Sequence, residues 1–210
     1  LEKKVIKTLK DLGLEHIKHL KVGNVLNKKI SGGQRKRLNI ALELIREPFV
    51  MFVDEPTSGL SSRDSENVMD LLKELTLKGK LIFVVIHQPS SDIFKMFDKL
   101  FILDTGGYPA FYGNPIESVI YFKKATNQID SDKGQCETCG NVNPEQVFNI
   151  LEAQVVDEYG QFTGVRKVMP YQWYEKYKKE IVIEKKEDIK EALPQSLQIP
   201  NKVKQFLVFM

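Results

Sequence analysis

Cysteine is almost missing from this chain: Cys136 and Cys139 are the only two in 210 residues, set in the stretch CETC. A disulfide-stapled secreted fold needs more, so a reducing compartment is expected, with the pair as two reduced thiols in a polar loop. CETC also has the spacing of two zinc ligands. Zinc takes four, however, and the nearest candidates, His16 and His19 in HIKH, are far away in sequence. Long hydrophobic runs are missing too. FVMFV and LIFVVI fall well short of the ~20 apolar residues of a membrane span. A signal peptide is not visible, because the opening LEKKVIKTLKDL is amphipathic and charged. Excess charge of one sign is small: 31 basic against 28 acidic residues, a net +3, does not imply a nucleic-acid partner. No phosphate loop of the form GxxxxGK[ST] occurs anywhere. The chain opens on Leu1 inside a helical pattern and stops inside QFLVFM, which reads as a piece of a longer protein.

What is present reads as an α/β fold. Leu1, Val5, Ile6, Leu9 and Leu12 predict a helix that Gly13 ends, and LGLEHIKHLKVGNVLNKKI reads as short irregular structure. A second helix is predicted from Ser31 to about Arg46, with Leu38, Ala41, Leu42 and Ile45 on its buried face. FVMFVD at 49–54 and LIFVVI at 81–86 are continuous apolar runs, the pattern of parallel strands buried on both faces. Between them Val68, Leu71, Leu72 and Leu75 keep helical period up to Gly79, so strand, helix and strand form a right-handed crossover. A short helix at 91–97, a hairpin in KLFILDTGGYPAFYG and a helix opened by Pro115 follow. Residues 125–143 read as a polar loop, NPEQVFNILEAQ as a helix, and 155–169 as weakly patterned. PYQWYEKYKKEI is an aromatic amphipathic helix, packed on its own domain or docked to a partner or membrane interface. EKKEDIKEALPQSLQIP has the composition of a charged linker.

Three stretches carry chemistry. In ISGGQRKR, Ser31 suits a helix N-cap, while Gly32 and Gly33 let backbone approach a ligand closely. Free N–H groups and the helix dipole there favour an anion, although a capped surface helix fits equally. Arg35, Lys36 and Arg37 are too close in sequence to share one face and read mostly as solvent or partner contacts. FVMFVDE ends in adjacent carboxylates at the carboxyl end of a strand, where open α/β sheets place ligands. Asp54 suits Mg²⁺, and Glu55 could polarise an attacking water; a plain turn before Pro56 is the alternative. His87 ends the second strand, so the parallel register would bring an imidazole to the same sheet edge, although a lone histidine is more often structural.

In this order and spacing the stretches resemble an ATP-binding cassette (ABC) ATPase: ISGGQ its signature motif, FVMFVDE its Walker B, SGLSS its D-loop and His87 its H-loop. SGGxRKR, DEPTSGL and IHQP, with YFKKA and NPEQVFNIL later, resemble the G subfamily of these transporters, the White or multidrug half-transporter type, over about residues 1–154. The resemblance implies part of a P-loop NTPase (RecA-like) domain with a mostly parallel sheet. Residues 1–46 would be a helical subdomain portion with the signature, 47–124 the RecA-like core portion, and 125–154 the family's C-terminal segment with the CxxC loop. Residues 155–210 would be an extension and connector toward a membrane domain.

The resemblance also implies roles. Ser31, Gly32, Gly33 and Gln34 would cap the ATP phosphate in trans, Asp54 would hold Mg²⁺, Glu55 would be the base, and His87 the phosphate sensor. ATP and Mg²⁺ are the implied cofactors. A second nucleotide-binding domain, in a homo- or heterodimer, and a membrane-spanning domain on the same longer chain are the implied partners, at the cytoplasmic face of a membrane. The P-loop and Q-loop would lie upstream of Leu1, and without them this chain is expected neither to bind ATP tightly nor to hydrolyse it. Ser61 departs from the pattern, which has Asp after SGL; it keeps a hydrogen-bonding group and loses the charge. That is the best support for a non-catalytic cassette. An ABC-type ATPase acting on nucleic acid or the ribosome is the other alternative, and the mild charge disfavours it.

Overall fold

The computed structural model describes residues 2–24, 27 and 29–180. The linker and connector readings at 184–210 lie outside them. The described residues form two compact units, divided between Ile86 and His87.

In the first unit, α1 (Glu2–Asp11) ends as the sequence predicts, with Gly13 just beyond it at φ +66°. A short 3-10 turn at Glu15–Ile17 precedes α2 (Gly32–Leu44). Then come β1 (Val50–Asp54), α3 (Ser62–Leu77) and β2 (Leu81–Val85). β1 and β2 pair in parallel, from Val50 opposite Leu81 to Asp54 opposite Val85. This is the strand–helix–strand unit the apolar runs predicted. α3 buries Val68, Met69, Leu72 and Leu75, and Gly79 closes it at φ +87°.

Two expectations fail here. α2 buries Gly33, Ile40 and Ala41, whereas Leu42 is 58% exposed. Its inward stripe includes Arg37, whose guanidinium reaches the Leu12 carbonyl, so counting apolar residues alone rotated the face. The strands are not buried on both sides either. Met51 is buried, but Val50, Phe52, Leu81, Phe83 and Val85 are exposed, and the Phe52 and Phe83 rings stack at 5.0 Å on that open side. Among the described residues β1 has β2 as its one neighbour, and this second apolar face has no cover.

In the second unit, α4 (Ser91–Lys95) leads to an antiparallel hairpin of β3 (Leu100–Asp104) and β4 (Tyr108–Gly113), turning at Gly106 and Gly107 with φ of +86° and +78°. α5 (Pro115–Ala125) follows, capped by the Asn114 side chain on the Ile116 N–H. After an irregular loop come α6 (Glu145–Leu151), β5 (Gln154–Val156), β6 (Phe162–Arg166) and α7 (Pro170–Glu180). The core gathers Phe111, Val119, Phe122, Val147 and Leu151 around Trp173. Trp173 is fully buried and meets Phe122 edge to face at 5.1 Å, so the aromatic helix packs on its own unit. The β5–β6 hairpin lies in the stretch that reads as weakly patterned. Asp157 fixes its turn by accepting the Tyr159 and Gln161 N–H groups, and Arg166 of β6 pairs with Asp104 of β3.

Candidate functional site

The start of α2 is a complete capping box. Ser31 Oγ accepts the Gln34 N–H at 3.1 Å, and Gln34 Oε1 accepts the Ser31 N–H at 2.8 Å. The Gln34 side chain is therefore committed to the cap, and its amide nitrogen lies 3.4 Å from His16 Nε2. The N–H groups of Gly32 and Gly33 fall in the first turn, where a helix offers no internal acceptor, the feature that suits an anion; Gly32 is exposed and Gly33 is buried. Gly33 also has a steric reason. A Cβ there would lie 2.9 Å from Asp64 Oδ1, so a side chain at this position would push the Asp64 carboxylate away from the turn.

The three cations after the glycines are internal braces. Arg35 donates to the Val22 carbonyl at 3.4 Å, Lys36 to the Glu55 carbonyl at 2.8 Å and Arg37 to the Leu12 carbonyl at 3.3 Å. This corrects the reading of them as mostly solvent or partner contacts. On successive helix positions they point in different directions, and each direction has its own segment to hold.

Asp54 closes β1 opposite Val85, and Glu55 carries the ladder one step further through its N–H to the Val85 carbonyl at 2.9 Å. Both carboxylates are solvent-exposed. Glu55 has φ +41°, a left-handed conformation that a residue with a side chain adopts only when its surroundings impose it. Its carbonyl accepts twice, from Lys36 Nζ at 2.8 Å and from the Ser58 N–H at 3.2 Å. Lys36 thus joins the signature helix to the backbone of the carboxylate pair. It is the site residue that sequence reasoning missed, because a lysine's partner across 19 positions leaves no periodic signal. Among the described residues no three His, Cys, Asp or Glu stand together as a metal cluster. One carboxylate plus waters still fits Mg²⁺, which keeps most of its hydration shell.

Ser61 caps α3: its Oγ accepts the Asp64 N–H at 3.2 Å and donates to Asp64 Oδ2 at 3.1 Å. Asp64 therefore folds back onto Ser61 and faces Gly33. His87 lies in the second unit, two residues past the end of β2, so it follows the strand instead of closing it. It is exposed and lines a cavity of about 290 Å³ with Gln88, Glu145, Phe148, Asn149 and Glu152. Gln88 has φ +45°.

A capped, glycine-bearing helix end is thus braced to a parallel strand pair that finishes in adjacent carboxylates, and residues 1–58, which hold these features up to the end of the first strand, match the ABC transporter family model. A solved ATP-binding cassette of an ABC transporter, MJ1267 in its ADP conformation, is similar with a TM-score of 0.51 and 25% identity, over 60% of this chain and 48% of that one. ABC transporter G family member 28 of Arabidopsis thaliana is 44% identical over 80% of this chain and 14% of that protein, and member 26 is 44% identical over 57% and 17%. The broad substrate specificity transporter ABCG2 of Bos taurus is 42% identical over 57% of this chain and 18% of that protein. The chain is part of an ABC nucleotide-binding domain of the G subfamily. It spans between 14% and 18% of the length of these relatives.

Proposed function

We propose that this chain is the signature and Walker B portion of the ATPase that drives an ABC transporter of the G type. The observation that carries this reading is the end of the parallel pair, where Asp54 stands opposite Val85 and Glu55 follows it, in the same unit as the glycine-bearing cap of α2. Gly32 and Gly33 would offer N–H groups to the terminal phosphate of ATP held by a partner cassette. Ser31 and Gln34 would fix that turn through their capping box, and Ser61 would supply the D-loop hydroxyl beside it. Asp54 would hold Mg²⁺, which when bound neutralises phosphate charge. Glu55 would accept a proton from the attacking water, and His87 would hydrogen-bond the phosphate.

The partners are a second nucleotide-binding domain, as a homo- or heterodimer, and a membrane domain on the same longer chain at a cytoplasmic membrane face. Among the described residues no helix is long and apolar enough to cross a membrane. The open apolar face of β1 and β2 supports a place inside a larger cassette, whose remaining elements would pack over it.

Glu55→Gln in the intact transporter tests the reading. ATP binding should persist while turnover falls by ~10²–10⁴-fold. Turnover at the wild-type rate would remove Glu55 from its role.

A further inference from the structure

The nucleotide reading leaves Cys136 and Cys139 unused. Both are exposed, yet they do not sit on a loose tip. The loop is closed by two backbone bonds, the Cys136 N–H to the Asn141 carbonyl and the Gly140 N–H to the Cys136 carbonyl, each 2.8 Å, and Gly140 takes φ +68° to make the turn. It is fastened below as well. The Val142 N–H donates to Ser91 Oγ at 2.9 Å, Lys95 Nζ donates to the Gly140 carbonyl at 3.4 Å, and Val142 itself is buried in the core. That frame holds Cys136 and Cys139 in one closed turn, with the Cys139 N–H, the Cys139 thiol and the Thr138 N–H as donors toward the Cys136 thiol. Those same donors hold the Cys136 thiol below the usual thiol range. Backbone N–H groups converging in a turn do here what a helix start does in other dithiols.

We propose that Cys136 and Cys139 form a reactive dithiol that a hydroperoxide oxidises to an intramolecular disulfide, with Cys136 attacking and Cys139 resolving. The deprotonated Cys136 sulfur attacks an oxygen of the peroxide. The O–O bond breaks, Cys136 becomes a sulfenic acid, and the leaving oxygen takes a proton to depart as an alcohol, or as water from hydrogen peroxide. The Cys139 sulfur then attacks the Cys136 sulfur. The S–S bond forms, the S–O bond breaks, and the hydroxyl leaves as water with the Cys139 proton. Two thiols lose two electrons and the peroxide gains them. These 210 residues hold no other cysteine. The proposal stands independently of the ATPase reading.

The test treats the reduced 210-residue chain with one equivalent of hydrogen peroxide. The intact mass should fall by two hydrogens, both cysteines should stop reacting with iodoacetamide, and dithiothreitol should restore them with the chain still monomeric on a non-reducing gel. Cys139→Ser should stop at a sulfenic acid on Cys136 that dimedone traps. Cys136→Ser should react at least ~10-fold more slowly, and urea should erase that difference by removing the frame. Independent oxygenation of both sulfurs, an intermolecular disulfide, or equal rates in the two single variants would overturn the proposal. A rate difference that survives urea would overturn the role of the folded loop.

Discussion

Lys36→Met deletes the ammonium that holds the Glu55 carbonyl and keeps most of the aliphatic stem. The left-handed backbone of Glu55 costs ~1–3 kcal/mol for a residue with a side chain. Three hydrogen bonds oppose that cost: the Glu55 N–H to Val85, and the Ser58 N–H and Lys36 Nζ to the Glu55 carbonyl. A bond from a charged donor contributes ~1.5–3 kcal/mol when well shielded; Lys36 is half-buried and its bond is open to water, so about 1 kcal/mol is the better figure. That is comparable to the strain, so losing it should let the Glu55 backbone relax for much of the time. In steady-state ATPase measurements on the intact transporter, kcat should fall by ~5–10-fold, since 1.36 kcal/mol is tenfold in rate. KM for ATP should hold, because Lys36 acts on the carboxylate backbone and touches no nucleotide in this reading. Lys36→Arg keeps a donor and should recover most of the loss. An unchanged kcat in Lys36→Met would refute the argument, and a raised KM at normal kcat would mean that Lys36 binds nucleotide instead of positioning Glu55.

Two further predictions concern the second unit. Trp173→Ala removes a fully buried ring and its edge contact with Phe122, and should cost ~3–5 kcal/mol in denaturant unfolding; a loss below ~1 kcal/mol would take Trp173 out of the core. The Tyr121 hydroxyl is buried with no hydrogen-bond partner among the described residues, so Tyr121→Phe should be neutral or stabilising by up to ~1–3 kcal/mol. Burial, reinforced by the Glu180 charge, pushes that hydroxyl well above its ordinary value of 10.0. A raised folded value means that the unfolded chain loses the proton first. The contribution of the neutral hydroxyl is therefore complete below pH 10 and is lost as pH climbs toward the folded value. The stability gap between Tyr121→Phe and the wild-type chain should widen in alkaline urea titrations, and a constant gap would contradict the burial.

What could be read from the sequence was whatever has a period or a turn residue. The apolar runs gave the parallel pair, Gly106 and Gly107 gave the hairpin, and Pro115 gave the start of α5. The β5–β6 hairpin escaped because its strands leave Val155, Val156, Phe162 and Val165 largely exposed, so no alternation of burial marks them. Its order comes from Asp157 and the Arg166–Asp104 pair, which are side-chain contacts without periodicity. The both-faces reading of β1 and β2 failed for another reason. A continuous apolar run says that each face can be covered, but the cover itself must come from elsewhere in the fold.

Ser61 shows how a local contact can reverse a reading made from residue types. By composition, serine in place of aspartate removes a negative charge from the D-loop corner, and that loss favoured a non-catalytic cassette. In the fold Ser61 is the N-cap of α3, and an N-cap draws the residue three positions on toward itself. That residue is Asp64, whose carboxylate accepts the Ser61 hydroxyl and abuts Gly33 of the signature turn. The negative charge is therefore displaced by one helical turn of sequence and only a hydrogen bond's length in space. A cassette with Ser61 and Asp64 paired in this way keeps an acid beside the glycines that would face a phosphate, so the substitution by itself does not argue for a silent site.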